Sequence, residues 1–132
     1  MEKWQINSII ATVGTCLISL FGGWDSMMQA LVIICVIDYT TGLLAAIYKG
    51  KLSSKIGYKG IIKKICMFAI VAVACILDDT MKTELLREVT ILFYISNEAI
   101  SILENVGKTG VKYPKKLRNI LKELRDKEDK KR

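Results

Sequence analysis

The amino-acid sequence predicts an all-α protein: a small multi-span transmembrane helical protein with three to four spans and a basic cytoplasmic C-terminal amphipathic helix. The chain of 132 residues leaves little room for a soluble catalytic domain beside its apolar segments. Apolar residues fall in four blocks, near 4–24, 27–48, 61–77 and 89–106. Residues 1–107 hold nine Lys/Arg and nine Asp/Glu and are therefore neutral overall. Residues 108–132 hold eleven Lys/Arg and only four Asp/Glu. We therefore expect a transmembrane helical domain over residues 1–107 and a basic cytoplasmic tail over residues 108–132.

The first predicted span, residues 6–23, carries no charge. It contains small residues at every fourth position, a ridge that lets helix backbones approach closely in lipid: Ala11, Thr15, Ser19 and Gly23. The alternative is a chance pattern in an apolar segment rich in small residues. The very short turn at Trp24, Asp25 and Ser26 predicts that the first two spans form an antiparallel hairpin.

The second block is uncharged except for Asp38, at its centre. Its 22 residues would extend roughly 33 Å as a helix, against a hydrocarbon core of about 30 Å. A carboxylate at the middle of such a helix costs about 2.5–3.5 kcal/mol on insertion scales, so it needs a partner, water or a proton. Thr41 and Gly42 follow at helical offsets of three and four, which predicts a helix that meets another helix at Asp38.

The loop at residues 49–64 has six lysines, no acidic residue and several glycines, so we expect turns there and a cytoplasmic location. The third span is expected from Ile61 or Ile62 to Leu77. Lys63 and Lys64, close to its start, are predicted to reach the cytoplasmic headgroups. The acidic stretch that follows is expected outside.

The fourth block carries a polar stripe at spacings of three and four: Asn97, Glu98, Ser101, Glu104 and Asn105. The helix either spans, with this stripe towards other helices or a pore, or lies in the interface as an amphipathic helix. The acidic loop before it and the basic tail after it favour spanning. Four spans with both termini in the cytoplasm then account for every loop.

Pro114 suits the first position of a helix, and apolar residues follow at i, i+3, i+4 and i+7: Leu117, Ile120, Leu121 and Leu124. This short amphipathic helix lies on the leaflet or packs against its neighbours. Predicted leaflet contacts in the tail are Lys115, Lys116 and Arg118, and the charged end at 125–132 is expected to fray.

The sequence offers no catalytic site, because a chain without histidine provides no Ser/His or Cys/His pair. The four cysteines lie in apolar blocks without metal-ligand spacing. Asp38 and Glu98 resemble a carboxylate pair, but nothing indicates an aqueous cleft around them. We expect no enzyme, cofactor or metal. We also expect no nucleic-acid partner, since no aromatic or Gly-rich RNA-binding pattern accompanies the basic tail.

Residues 30–120 resemble the toxin-secretion/phage-lysis holins of Gram-positive bacteria and their phages. The resemblance rests on Asp38-Tyr39-Thr40-Thr41-Gly42, the Ser53-Ser54…Gly57…Gly60 loop with Lys63-Lys64, the stripe from Asn97 to Asn105, and Gly110…Tyr113-Pro114. It implies a homo-oligomer in the lipid of the host cytoplasmic membrane that forms lesions. An endolysin, or in some relatives a secreted toxin, would pass through them as cargo without stable binding.

Two questions stay open at the level of sequence. Oligomerisation could place the Asp38 face and the stripe of Asn97, Glu98 and Ser101 against each other or against water, or Asp38 could find its partners within one subunit and only fix the fold. The alternative functions are a small ion or proton-coupled transporter and a membrane scaffold whose basic tail recruits a partner.

Overall fold

The protein folds into five α-helices in a computed structural model that describes residues 1–130. The all-α prediction is confirmed, and no strand occurs in this range. The helices are α1 (Lys3–Leu20), α2 (Ser26–Tyr48), α3 (Ser54–Met81), α4 (Leu85–Lys108) and α5 (Lys115–Lys130).

Two helices, α2 and α3, are long and apolar enough to cross a membrane. Within the most apolar 18-residue stretch of each, only 22% and 28% of the residues are buried by other parts of the protein. The core helix of a soluble protein would be mostly buried. The apolar surface that α2 and α3 leave exposed is therefore suited to lipid.

Helix α3 begins at Ser54, earlier than the predicted start at Ile61 or Ile62. The cause is local, because the hydroxyl of Ser53 accepts a hydrogen bond from the backbone N–H of Ile56 and caps the helix. Much of the lysine-rich segment that was expected to form turns is thus the first part of α3.

Helices α2, α3 and α4 form a three-helix bundle in which α4 packs against both others. Its core is a cluster of buried apolar side chains from all three helices: Met28, Leu31, Cys35, Met67, Val71, Cys75 and Ile91. Arg87, near the start of α4, contacts Asp25 at the start of α2, and Asn105 near its end contacts Asp38. Helix α4 therefore runs parallel to α2 along much of its length.

Helix α1 stands apart from this bundle, and none of its residues is buried. Its backbone approaches only that of α3 among the other described helices, so the predicted hairpin with α2 is wrong. The chain turns at Gly22 and Gly23, both with positive φ. Phe21 packs edge-on against Phe68 of α3, with ring centroids 5.7 Å apart, which ties the turn to α3.

Helix α5 folds back along α4. Tyr113 lies against Gly107, and Arg118 contacts Glu104 at 3.7 Å, so the chain reverses just after α4. The helix continues to Lys130 with Glu128 buried, so the expected fraying is wrong as far as Lys130; residues 131 and 132 lie outside the described range. The apolar stripe of α5 remains exposed, at Leu117, Ile120 and Leu124.

Candidate functional site

A charged cluster joins the three helices of the bundle. The ammonium of Lys64 in α3 donates to carboxylate oxygens of Asp38 in α2 and Glu98 in α4. The side chains are 18%, 12% and 11% exposed, respectively. One cation thus serves two mostly buried acids, and an unpaired charge at this position would be strongly unfavourable.

Asn105 extends the cluster along α2. Its amide nitrogen lies 3.1 Å from the Asp38 carboxylate, 3.2 Å from the Asp38 backbone oxygen and 3.2 Å from the Thr41 hydroxyl. A Cβ atom at Gly42 would lie 3.5 Å from this nitrogen, so glycine keeps α4 close to α2 at this level. The Asp38–Thr41–Gly42 face meets another helix as predicted from its spacing, and that helix is α4.

Tyr39 fixes the contact between α2 and the first turns of α3. Its hydroxyl donates to the carbonyl of Gly57 at 3.3 Å. A Cβ at Gly60 would meet the Tyr39 ring at 3.2 Å, tighter than ordinary van der Waals contact. These two helical glycines therefore let the tyrosine reach the α3 backbone.

A cavity of about 840 Å³ opens beside the cluster, at the end of the bundle where α2 and α4 finish and α3 begins. The charged cluster and Asn105 line it, together with Asn97 and Ser101 of α4. Four further lysines contribute to the lining: Lys49, Lys51, Lys63 and Lys108. Five lysines against two carboxylates give the lining a formal charge of +3.

A second charged cluster lies at the opposite end of the bundle. The guanidinium of Arg87 makes two bonds to the Asp25 carboxylate, at 2.8 and 3.1 Å, and donates to the Phe21 carbonyl at 2.8 Å. Asp25 also caps α2 by accepting from the backbone N–H of Met28 at 3.0 Å. The adjacent guanidinium holds the pKa of Asp25 below its usual value.

Asp78, near the end of α3, caps the start of α4 from the neighbouring helix. Its carboxylate accepts from the hydroxyl of Thr83 at 2.6 Å and from the backbone N–H groups of Leu86 and Arg87 at 3.1 and 2.8 Å. These bonds satisfy N–H groups that the first turn of a helix leaves without intrahelical partners. Sequence reasoning missed this cap, which joins two helices across a short turn.

The structure brings most of the predicted polar residues together, but not all. Asp38, Thr41, Gly42, Asn97, Glu98 and Ser101 lie in or beside the cavity. Glu104 is turned away from the cavity and contacts Arg118.

The predicted residues of α5 and α1 lie outside this site. Lys115 and Lys116 are exposed at the start of α5. On α1, Ala11, Thr15 and Ser19 are exposed, while Gly23 lies in the turn beyond the helix.

Lys64 is the central cluster residue that the sequence did not identify as such. The sequence predicts headgroup contacts for both Lys63 and Lys64, whereas in the structure the Lys64 ammonium lies between two carboxylates. Adjacent helical residues point about 100° apart, so two neighbouring lysines do not share one environment. The two acids in apolar segments indicate that one of these lysines pairs with them, but the angle alone does not say which.

Two helices long and apolar enough to span, joined to a third by a buried charged cluster, are typical of a small α-helical membrane protein. Residues 15–126 match the bacteriophage holin family, and the chain belongs to that family. Membership, together with two helices able to span, indicates a non-enzymatic membrane protein. Within residues 1–130, no group of three or more potential metal ligands occurs.

Relatives extend the match over most of the chain. A probable holin of Bacillus phage phi105 is 35% identical over 66% of this chain and 65% of its own length. An uncharacterised protein of Listeria monocytogenes is 47% identical over 77% of this chain and 74% of its own length. An uncharacterised 14.9 kDa protein of Clostridium perfringens is 39% identical over 95% of this chain and 93% of its own length. No solved structure matches the chain.

Proposed function

We propose that this protein is a holin that oligomerises in the host cytoplasmic membrane and forms lesions that release an endolysin, or a toxin, and so time lysis. The observation that carries the proposal is the family match, which includes α2, α3, α4 and the whole charged cluster. The relative from Bacillus phage phi105 bears the description "Probable holin".

We propose that α1, α2, α3 and α4 all cross the membrane, with both termini in the cytoplasm. Support for α4 comes from its contacts with both Asp25 and Asp38, because a helix that runs beside α2 crosses wherever α2 crosses. At 24 residues it would extend about 36 Å, enough for the hydrocarbon core. The lysine-rich start of α3 and the basic tail then share the cytoplasmic side.

We further propose that α5 lies on the cytoplasmic leaflet when the protein is in a bilayer. Residues 115–130 carry seven basic and four acidic side chains, which would be strongly unfavourable alongside α4 within hydrocarbon. The apolar stripe of α5 is already exposed and would enter the interface, while Lys115 and Lys116 would contact anionic headgroups. In this arrangement α5 leaves its contacts with α4, and residues 108–132 act as a tail separate from the transmembrane domain of residues 1–107.

The contacts between subunits are proposed to involve α1. The acids at positions 38 and 98 already have a cationic partner within one chain, which favours the alternative that they fix the subunit fold. Helix α1, in contrast, has no buried residue and offers a ridge of small side chains at Ala11, Thr15 and Ser19. Such ridges support close helix association in lipid.

The test is inducible expression in a bacterial host, with and without a cytosolic muralytic enzyme, while culture density and released cytosolic protein are recorded. A holin should arrest growth abruptly at a reproducible time and cause lysis only when the enzyme is present. Slow ion leakage that retains cytosolic protein would instead indicate a transporter. Loss of all activity on removal of residues 108–132, rather than altered timing, would indicate a scaffold with a recruiting tail.

A variant pair tests the role of α1. Substituting leucine at Ala11, Thr15 and Ser19 should delay lysis and reduce cross-linked oligomers, because bulky side chains keep helices apart. The matched control places Leu at Ile10 and Val13 and Met at Leu17, on the opposite face, and should leave timing near that of the unmodified protein. Equal effects of the two variants would contradict the assignment to the ridge.

A further inference from the structure

The basic cavity contains more positive charge than the protein itself neutralises. Lys64 is engaged by Asp38 and Glu98, the two acidic residues of the lining. Within residues 1–130, the other four lysines of the lining form no ion pair: Lys49, Lys51, Lys63 and Lys108. An anion entering this cavity would therefore meet free ammonium groups without displacing an existing partner.

The same cavity has an apolar wall. Leu43 of α2, Ile56 and Met67 of α3 and Tyr94 of α4 line it together with the lysines. The volume of about 840 Å³ lies within the range of about 300–1,000 Å³ that holds small ligands. A cavity that combines unpaired lysines with apolar side chains suits an amphiphile better than a free inorganic ion.

We propose that this cavity binds one anionic glycerophospholipid of the cytoplasmic leaflet. The phosphate would contact Lys49, Lys51 and Lys108, and the start of an acyl chain would lie along Leu43 and Met67. Asn97 and Ser101 are placed to donate hydrogen bonds to the glycerol and ester oxygens. The inference rests on the proposed function through its topology, which puts the mouth of the cavity at the cytoplasmic headgroups.

The test measures lipid binding by the full-length purified chain in detergent micelles. Native mass spectrometry records the fraction that carries one lipid during titration with phosphatidylglycerol or with phosphatidylcholine of the same acyl chains. The cavity variant is Lys49→Gln, Lys51→Gln and Lys108→Gln. The matched control is Lys55→Gln, Lys59→Gln and Lys112→Gln, which removes the same charge from the same end of the bundle but outside the cavity lining.

The expected result is selective retention of phosphatidylglycerol, with the cavity variant needing at least about tenfold more lipid for half-occupancy and the control less than about twofold. An uncharged change, Ala46→Phe, should also weaken binding, because Ala46 lines the cavity and the larger side chain would fill part of it. Thermal unfolding in the same micelles verifies that each variant is folded.

Three outcomes would overturn the inference: equal losses in the cavity variant and its control, equal binding of both lipids, or displacement of the lipid by inorganic phosphate at lipid-like concentrations. The same variants are expressed in the lysis assay. A chain that lyses cells but shows no lipid selectivity refutes the lipid site alone. A chain that selects phosphatidylglycerol yet releases no cytosolic protein refutes the holin proposal alone.

Discussion

The two charged clusters of the bundle use the same types of group in different surroundings. At one, Lys64 lies between two mostly buried acids. At the other, Arg87 is similarly buried, but the side chain of its partner Asp25 is 48% exposed. The attraction between opposite charges and the penalty for losing a partner both grow as water is removed. The first cluster should therefore govern the stability of the bundle, and the second should mainly position a turn.

The chemistry of the two cations fits this division. Arg87 binds Asp25 with two parallel bonds and uses its third nitrogen for a backbone carbonyl, a geometry that only a planar guanidinium provides. Lys64 acts as a compact charge shared by acids from two helices. The guanidinium orients one segment, whereas the ammonium holds α2 and α4 to α3.

The largest effect is expected for Lys64→Met, which leaves Asp38 and Glu98 without their cation. We expect it to lower the free energy of unfolding in mixed micelles by about 3–5 kcal/mol. Lys63→Met, next to it but exposed, is the matched control and should change little. The triple change of Asp38→Leu, Lys64→Met and Glu98→Leu should recover most of the loss; if it is as unstable as the single variant, the unpaired acids are not the cause.

Asn105→Leu should have the next largest effect. The substitution removes an amide within hydrogen-bond distance of three oxygen atoms and leaves those acceptors poorly satisfied, at a cost of about 1–3 kcal/mol. The same unfolding measurement applies. Asn119→Leu, on an exposed position of α5, is the control. Equal stability of Asn105→Leu and the unmodified protein would show that Asn105 adds nothing to the cluster.

Arg87→Gln at the other cluster should cost less, about 1–2 kcal/mol, because the half-exposed Asp25 regains water when the guanidinium is lost. Lys82→Gln, an exposed cation at the same end, serves as the control. A loss as large as that of Lys64→Met would contradict the distinction between the clusters.

The smallest effect is a dependence on pH. Because Arg87 lowers the pKa of Asp25 from its usual 3.8, the ionised carboxylate stabilises the fold above that value, and this contribution is lost as the pH falls through the lowered pKa. The difference in unfolding free energy between the unmodified protein and Asp25→Asn should be constant above about pH 5 and decrease towards about pH 2. A difference that grows on acidification would reverse the sign assigned to this pair.

The sequence predicted the helical class and several cluster residues because these depend on local pattern. The apolar runs locate α2 and α3, and the position of Asp38 within one of them points to a helix–helix contact. The offsets of Thr41 and Gly42 from Asp38 identify the face that meets Asn105. These features need only helical periodicity and the unfavourable burial of charge.

The rest depends on contacts between residues distant in sequence. Which of Lys63 and Lys64 faces the acids follows from the rotation of α3, which the core packing fixes. The direction of α1 depends on two glycines with positive φ and on Phe21 reaching Phe68. The bonds of Arg87 to the turn between α1 and α2 join residues 62 and 66 positions apart. Periodicity within one helix contains none of this information.

The sharing of Lys64 between two acids also bears on how such a cluster changes by single substitutions. Loss of one acid leaves a neutral pair, whereas loss of the lysine leaves two carboxylates facing each other. Stepwise replacement by apolar residues is therefore least unfavourable when an acid goes first and the lysine goes only after its last partner. Either acid can be lost while the lysine keeps a partner, whereas the lysine cannot be lost first, so substitutions at this cluster have a preferred order.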